Sequence, residues 1–222
     1  MNSTLLLLAD GRLPTGSHVH SGGVESAVSD GRIRDVDDLH GYLVGRLWTV
    51  GRVDAAFAWA ACARQFPFSE LDAEMAARCP SPALRDASRS QGRGMVRVGR
   101  QTWPADHLDE MAARFGQGPM WSVALGAVAA AAGVDPAGAA LVAAHASVAG
   151  PAWAAVRLLG LDPFATSRVT AELAGAVDAV ATATREMFDT ACTPDRFPAS
   201  GGPLCDIAAE AHRHWEVRLF AS

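Results

Sequence analysis

Val123-Ala124-Leu125-Gly126-Ala127-Val128-Ala129-Ala130-Ala131-Ala132-Gly133-Val134-Asp135-Pro136-Ala137-Gly138-Ala139-Ala140-Leu141-Val142-Ala143-Ala144 is the stretch that decides the fold class. Taken as one run, it has the length and apolarity of a membrane span. Gly133, Asp135 and Pro136 cut it into two shorter pieces, with Pro136 at the first position of the second helix. Alanine is the strongest helix former and the smallest side chain a packed helix face can carry. Two adjacent alanine-rich helices therefore predict a bundle whose members approach closely.

The rest of the chain agrees. Its 222 residues are 50% hydrophobic, with one Tyr and few β-branched runs, enough for one sizeable core. This predicts a single-domain, all-α bundle of roughly eight to ten helices. Leu5 to Leu8 is too short for a membrane span and runs into Asp10, so the expected location is the cytoplasm, with no membrane contact. Cys62, Cys79, Cys192 and Cys205 lie far apart with no Cys-x-x-Cys pair, which predicts buried, reduced thiols.

Element boundaries follow from local signals. Thr4 to Asp10 reads as a short apolar helix, and another runs from Gly23 to about Asp30-Gly31. Asp35 is an N-cap for a long helix carrying Leu39, Leu43, Leu47 and Val50, bent at Gly51 and continuing past Phe57 and Trp59 to Gln65. Ser69 with Asp72 forms a capping pair for the next helix. Pro104 and Gly118-Pro119 open further ones. Ala137 to Gly160 is expected to bend or break at Gly150-Pro151, because proline removes a ladder donor. Asp162-Pro163 starts a helix to about Ala191, a loop spans Thr193 to Pro203, and a final helix carries Leu204, Ala208, Ala211, Trp215 and Leu219 on one stripe.

Charge narrows the chemistry. The net charge is −5 and all nineteen basic residues are arginine, so a Walker-type phosphate loop and a Schiff-base lysine are both excluded. Any nucleotide belongs to a partner, and the acidic balance argues against broad nucleic-acid binding. Arg85, Arg89, Arg93, Arg97 and Arg100 form one helical stripe that only Asp86 offsets locally, either a solvated face or a docking face. Gly92 and Gly94 within it suit close backbone approach. The stripe also leaves a helical nucleic-acid-binding regulator as an alternative.

One run has no helical periodicity: Leu13-Pro14-Thr15-Gly16-Ser17-His18-Val19-His20-Ser21-Gly22-Gly23-Val24-Glu25. Pro14 fixes its own φ, Gly16 permits positive φ, Ser21 can cap a helix opening around Gly23, and Glu25 falls in the first turn or reaches back to Ser21. His18 and His20 share a face if the loop is extended, which gives a small metal-binding enzyme as another alternative. His212 and His214 on a helix point about 200° apart and cannot chelate together. There is no His-Glu-x-x-His and no Gly-x-Ser-x-Gly, so no catalytic residue is assigned.

This loop, with its Leu-Pro-x-Gly segment and Ser-x-Gly-x-Glu step, resembles the start of the urease accessory protein F family. Arg85 through Gly94, Gly118-Pro119 through Gly133, and Asp206-Ile207-Ala208-Ala209 with His212 and Arg218-Leu219-Phe220-Ala221-Ser222 resemble its later blocks in the same order. The chain departs from the family pattern at His18, where an aromatic is common, and at Gly118, where a histidine often precedes the proline. The resemblance implies a cytoplasmic, non-enzymatic homodimer that acts as an adaptor in assembly of the urease nickel centre, holding no cofactor of its own. It further implies binding to a D- or H-type scaffold protein, to a nickel-carrying G-type GTPase and to apo-urease. The partner-binding residues expected on this basis are Pro14, Gly16, Ser21, Gly23, Glu25, Arg89, Arg93, His212, Arg218, Leu219 and Phe220, with the tail ordered fully only in the complex.

Overall fold

A computed structural model describes residues 3–190 and 192–221; Ala191 and Ser222, which close the last long helix and the terminal signature in the sequence reading, lie outside the described residues. Among those residues there are helices and turns but no β-strand. The helices are α1 (Ser3–Ala9), α2 (Val24–Ser29), α3 (Val36–Arg46), α4 (Arg52–Ala63), α5 (Phe68–Ala77), α6 (Pro82–Thr102), α7 (Asp106–Arg114), α8 (Trp121–Ala131), α9 (Pro136–Leu159), α10 (Pro163–Glu172), α11 (Ala174–Phe188) and α12 (Pro203–His212). The all-α expectation holds.

The core has two lobes joined by α4 and α9. One gathers Phe57, Leu71, Leu108, Met111 and Leu125, and the other Ile33, Leu39, Leu43, Leu47 and Val177. Alanines on opposite sides of the two central helices feed both: Ala56 and Ala139 one lobe, Ala55 and Ala140 the other. Close approach is enforced by glycine. A Cβ at Gly126 of α8 would lie 2.7 Å from Ala61 Cβ and collide with the Ala58 carbonyl of α4.

Caps read from sequence are in place, with Asp35 accepting from the Asp38 N–H, Asp135 from Gly138 and Asp162 from Phe164. The bend at Gly51 is a π turn, Leu47–Gly51, joining α3 to α4. Other expectations are corrected. α5 begins at Phe68 with Pro67 as its N-cap, and Asp72 points away from the cap into the protein. α9 runs through Pro151 without breaking. Pro151 has no N–H for the Ser147 carbonyl, and Arg46 Nε supplies the donor instead at 3.1 Å, so the helix survives. α9 is thereby long and apolar enough to cross a membrane, although 61% of its apolar window is buried in the bundle. The helix expected from Pro163 onward divides at Leu173, where ψ flattens to −7° and the side chain turns into the core. α12 stops at His212, short of the expected Leu219, and its apolar stripe is not buried: Leu204 is 66% exposed, Ala211 is exposed and Ala208 is half-buried.

Candidate functional site

The loop from Leu13 to Glu25 is shaped by backbone that only glycine adopts readily. Gly16, Gly22 and Gly23 have φ of 84°, 64° and 87°. The loop is wedged between helices: a Cβ at Gly22 would lie 2.8 Å from Pro151 of α9, and one at Gly23 would lie 2.7 Å from the Tyr42 hydroxyl of α3. That hydroxyl donates to the Gly22 carbonyl at 2.8 Å. The N-cap of α2 is Gly23, and buried Ser21, two residues before it, accepts from the Glu25 N–H at 3.3 Å, whereas Pro14 is exposed on the outer side of the loop.

Glu25 does more than sit in a first turn. Its carboxylate is buried and receives three donors from the far end of the chain: His212 Nε2 at 2.8 Å, the Leu219 N–H at 2.7 Å and the Phe220 N–H at 3.1 Å. A carboxylate accepts only, so the His212 proton facing it is on Nε2. The Ala221 N–H donates to the Val19 carbonyl at 2.7 Å. Phe220 is 4% exposed, with the Arg157 guanidinium 4.7 Å from its ring centroid, and Arg157 also donates to the His18 carbonyl. The expectation of a frayed terminus is therefore corrected. Residues 213–221 form a strap that returns to the loop, with Phe220 inside and Arg218, Leu219 and Val217 outside; the last two are 67% and 86% exposed.

The arginine stripe is not an unpaired face, and its helix reaches the strap where Asp86 pairs with Arg213 at 3.7 Å. Arg89 pairs with buried Asp72 of α5 at 3.0 Å and donates to the Gly118 carbonyl at 2.8 Å; Asp72 also accepts from the Met120 N–H at 2.6 Å. Arg93 is exposed and donates to the Gln117 carbonyl, Arg85 to the Cys79 and Pro80 carbonyls, and Arg100 to Asp109. Relief from Asp72 and Asp109 comes from other helices, which is why local counting found only Asp86. Gly92 and Gly94 do serve close approach, against the carbonyls of Pro119 and Thr15, and Gly94 is where α6 meets the loop. At the start of α6, Ser81 Oγ and the Ala83 N–H donate to Glu210 of α12, and these bonds hold its carboxyl below the usual range.

A cavity of about 790 Å³ opens beside the loop, lined among others by Arg46, Asp54, Trp121, His145 and Phe220. Burial pushes the Asp54 carboxyl up to about 6, against the opposing pull of Arg46. His20 is pushed down by burial and by neighbouring His18. Among the described residues no three His, Cys, Asp or Glu side chains gather as a metal site, so the pair His18 and His20 finds no third ligand of these types. The sequence reading missed Asp54 and Arg157 and took Asp72 only as half of a capping pair; Asp72 and Arg157 act through partners far along the chain, which no local motif marks.

Comparison with known proteins identifies the lineage. The UreF family model matches residues 33–174. The chain is 44% identical over 221 residues to the urease accessory protein UreF of Mycobacterium sp. (strain JLS), covering 99% of this chain and 98% of that protein. It is 42% identical over 224 residues to UreF of Mycolicibacterium vanbaalenii, with the same coverage. UreF of Mycobacterium tuberculosis is 38% identical over 221 residues, again covering 99% of this chain and 98% of its own length. The loop and the terminal strap lie outside the residues that the family model matches, but the relatives align over nearly the whole chain, and the chain belongs to the UreF family.

Proposed function

We propose that this chain is a non-catalytic adaptor of urease maturation, working in the cytoplasm as a homodimer. It bridges a D- or H-type scaffold protein to the G-type GTPase and presents both to apo-urease, with nickel as the cargo of the assembly. Likeness to urease accessory proteins over nearly the full length supports the reading. The absence of lysine leaves nucleotide chemistry to a partner.

The scaffold-facing surface is the outer edge of the strap, Val217, Arg218 and Leu219, a guanidinium between two exposed apolar side chains. Arginine beside apolar groups is a composition enriched in interface hot spots. Phe220 and His212 act from inside as anchors of that edge. Arg93, exposed on α6, belongs to a second face directed at the GTPase. Co-purification with the scaffold and GTPase proteins tests the reading. The wild-type chain is expected to recover both, and the double variant Arg218→Ala with Leu219→Ala to lose the scaffold. Recovery of neither partner by wild-type protein would overturn the adaptor role.

A further inference from the structure

Among the described residues Glu25 is the carboxylate at which the loop and the end of the chain meet, and the three donors named above come from residues 212–220. Nothing in its own helix asks for this. Its own N–H donates to Ser21 Oγ, and its side chain turns away to the strap. The strap beyond α12 has no continuous helical ladder, and terminal segments of that kind fray unless tied down. Here the consecutive N–H groups of Leu219 and Phe220 both point to Glu25, while the side chains alternate, Leu219 out and Phe220 in.

We propose that Glu25 is the positioning residue of the partner-facing edge: by holding His212, Leu219 and Phe220 on one carboxylate it fixes Val217, Arg218 and Leu219 in their docking arrangement before a partner arrives. The inference rests on the reading that this edge meets the scaffold protein. Preorganisation matters because a strap closed only a tenth of the time weakens apparent affinity about tenfold with every contact intact. A glutamine at this position brings an NH₂ where the carboxylate had only acceptors, so at least one backbone donor loses its partner.

The test uses the full chain and the purified D-type scaffold protein, with two measurements on each variant: amide exchange of residues 219–221, read in the absence of partner, and scaffold affinity. Glu25→Gln is expected to speed exchange at those amides at least about tenfold while α4 and α9 keep their protection, and to weaken scaffold binding by about the same factor. His212→Ala, which removes one donor and leaves Glu25 in place, is expected to move both readings in the same direction and decides the matter if Glu25→Gln fails to fold. Glu25→Asp, one methylene shorter with its charge retained, should restore part of the protection. Strap amides as protected in both variants as in wild type overturn the proposal. So does a freed strap with unchanged affinity while Arg218→Ala with Leu219→Ala loses binding, a result that leaves the adaptor reading standing. Wild-type affinity in that double variant instead refutes the docking edge, and the exchange data alone then show whether Glu25 holds the strap.

Discussion

Reversing Arg89 to glutamate should destabilise the fold, and reversing Arg93 should not, although the two sit one turn apart on the same stripe. Arg89 contacts an Asp72 side chain that is 8% exposed and already committed to the Met120 N–H. Arg89→Glu removes the cation and sets a second carboxylate against the first. Breaking a buried pair from one side costs about 3–5 kcal/mol. The Arg89 side chain is 22% exposed, so solvent screening brings the expected loss to the lower end, about 3 kcal/mol. For a chain of this size that is a drop of roughly 6–12 °C in melting temperature. Arg93→Glu gives up one exposed bond to a carbonyl and should stay within about 0.5 kcal/mol of wild type. Thermal melts followed by circular dichroism, with Asp72→Asn added to complete a double-mutant cycle, measure this. If Arg89→Glu melts within about 2 °C of wild type, the pairing does not hold α5 to α6 and the stripe is a solvated face after all.

Gly92→Ala should cost more than about 2 kcal/mol, because its Cβ meets the Pro119 carbonyl in the backbone, whereas Gly11→Ala, with nothing within 4 Å of its Cβ, should be tolerated; urea titrations compare them. Asp54→Asn should stabilise the protein by about 2–3 kcal/mol at pH 7.5 and by little at pH 4, measured by urea unfolding at both values. The sign follows from a folded-state pKa raised to about 6: the buried acid favours folding when protonated, below the unfolded value near 3.8, and that advantage is lost as pH rises through 6.

What the sequence made legible was local. Asp35, Asp135 and Asp162 each cap a helix through bonds spanning two or three residues, and the positive-φ glycines of the loop need only their own backbone. What it concealed was carried by partners far along the chain. Pro151 predicts a break from local rules, and the helix continues because Arg46, on another element, supplies a donor to Ser147. Glu25 looks like a first-turn carboxylate, and its partners are on average about 190 residues away, beyond the reach of any cap pattern. The stripe of arginines looks unrelieved because its carboxylates belong to α5 and α7. The final apolar stripe has sound helical periodicity, yet the helix stops where His212 is drawn to Glu25, and periodicity cannot report which face a neighbour covers.

The exclusive use of arginine takes on meaning in this light. Arg78 alone donates to the carbonyls of Glu74, Pro194 and Pro198, stitching the 3₁₀ segment of residues 194–196 to α5. Arg89 spans a carboxylate and a carbonyl, and Arg157 joins a carbonyl of the loop to the ring of Phe220. An ammonium has three donors on one atom and cannot reach partners this far apart, whereas a guanidinium presents five in a rigid plane and remains charged when half-buried. In a bundle whose helices meet through alanine and glycine, few large side chains are available to pin the intervening loops. The guanidinium forks do that work, so Arg→Lys at positions 78, 89 or 157 would keep the charge and lose the connections that give the loop and the strap their shape.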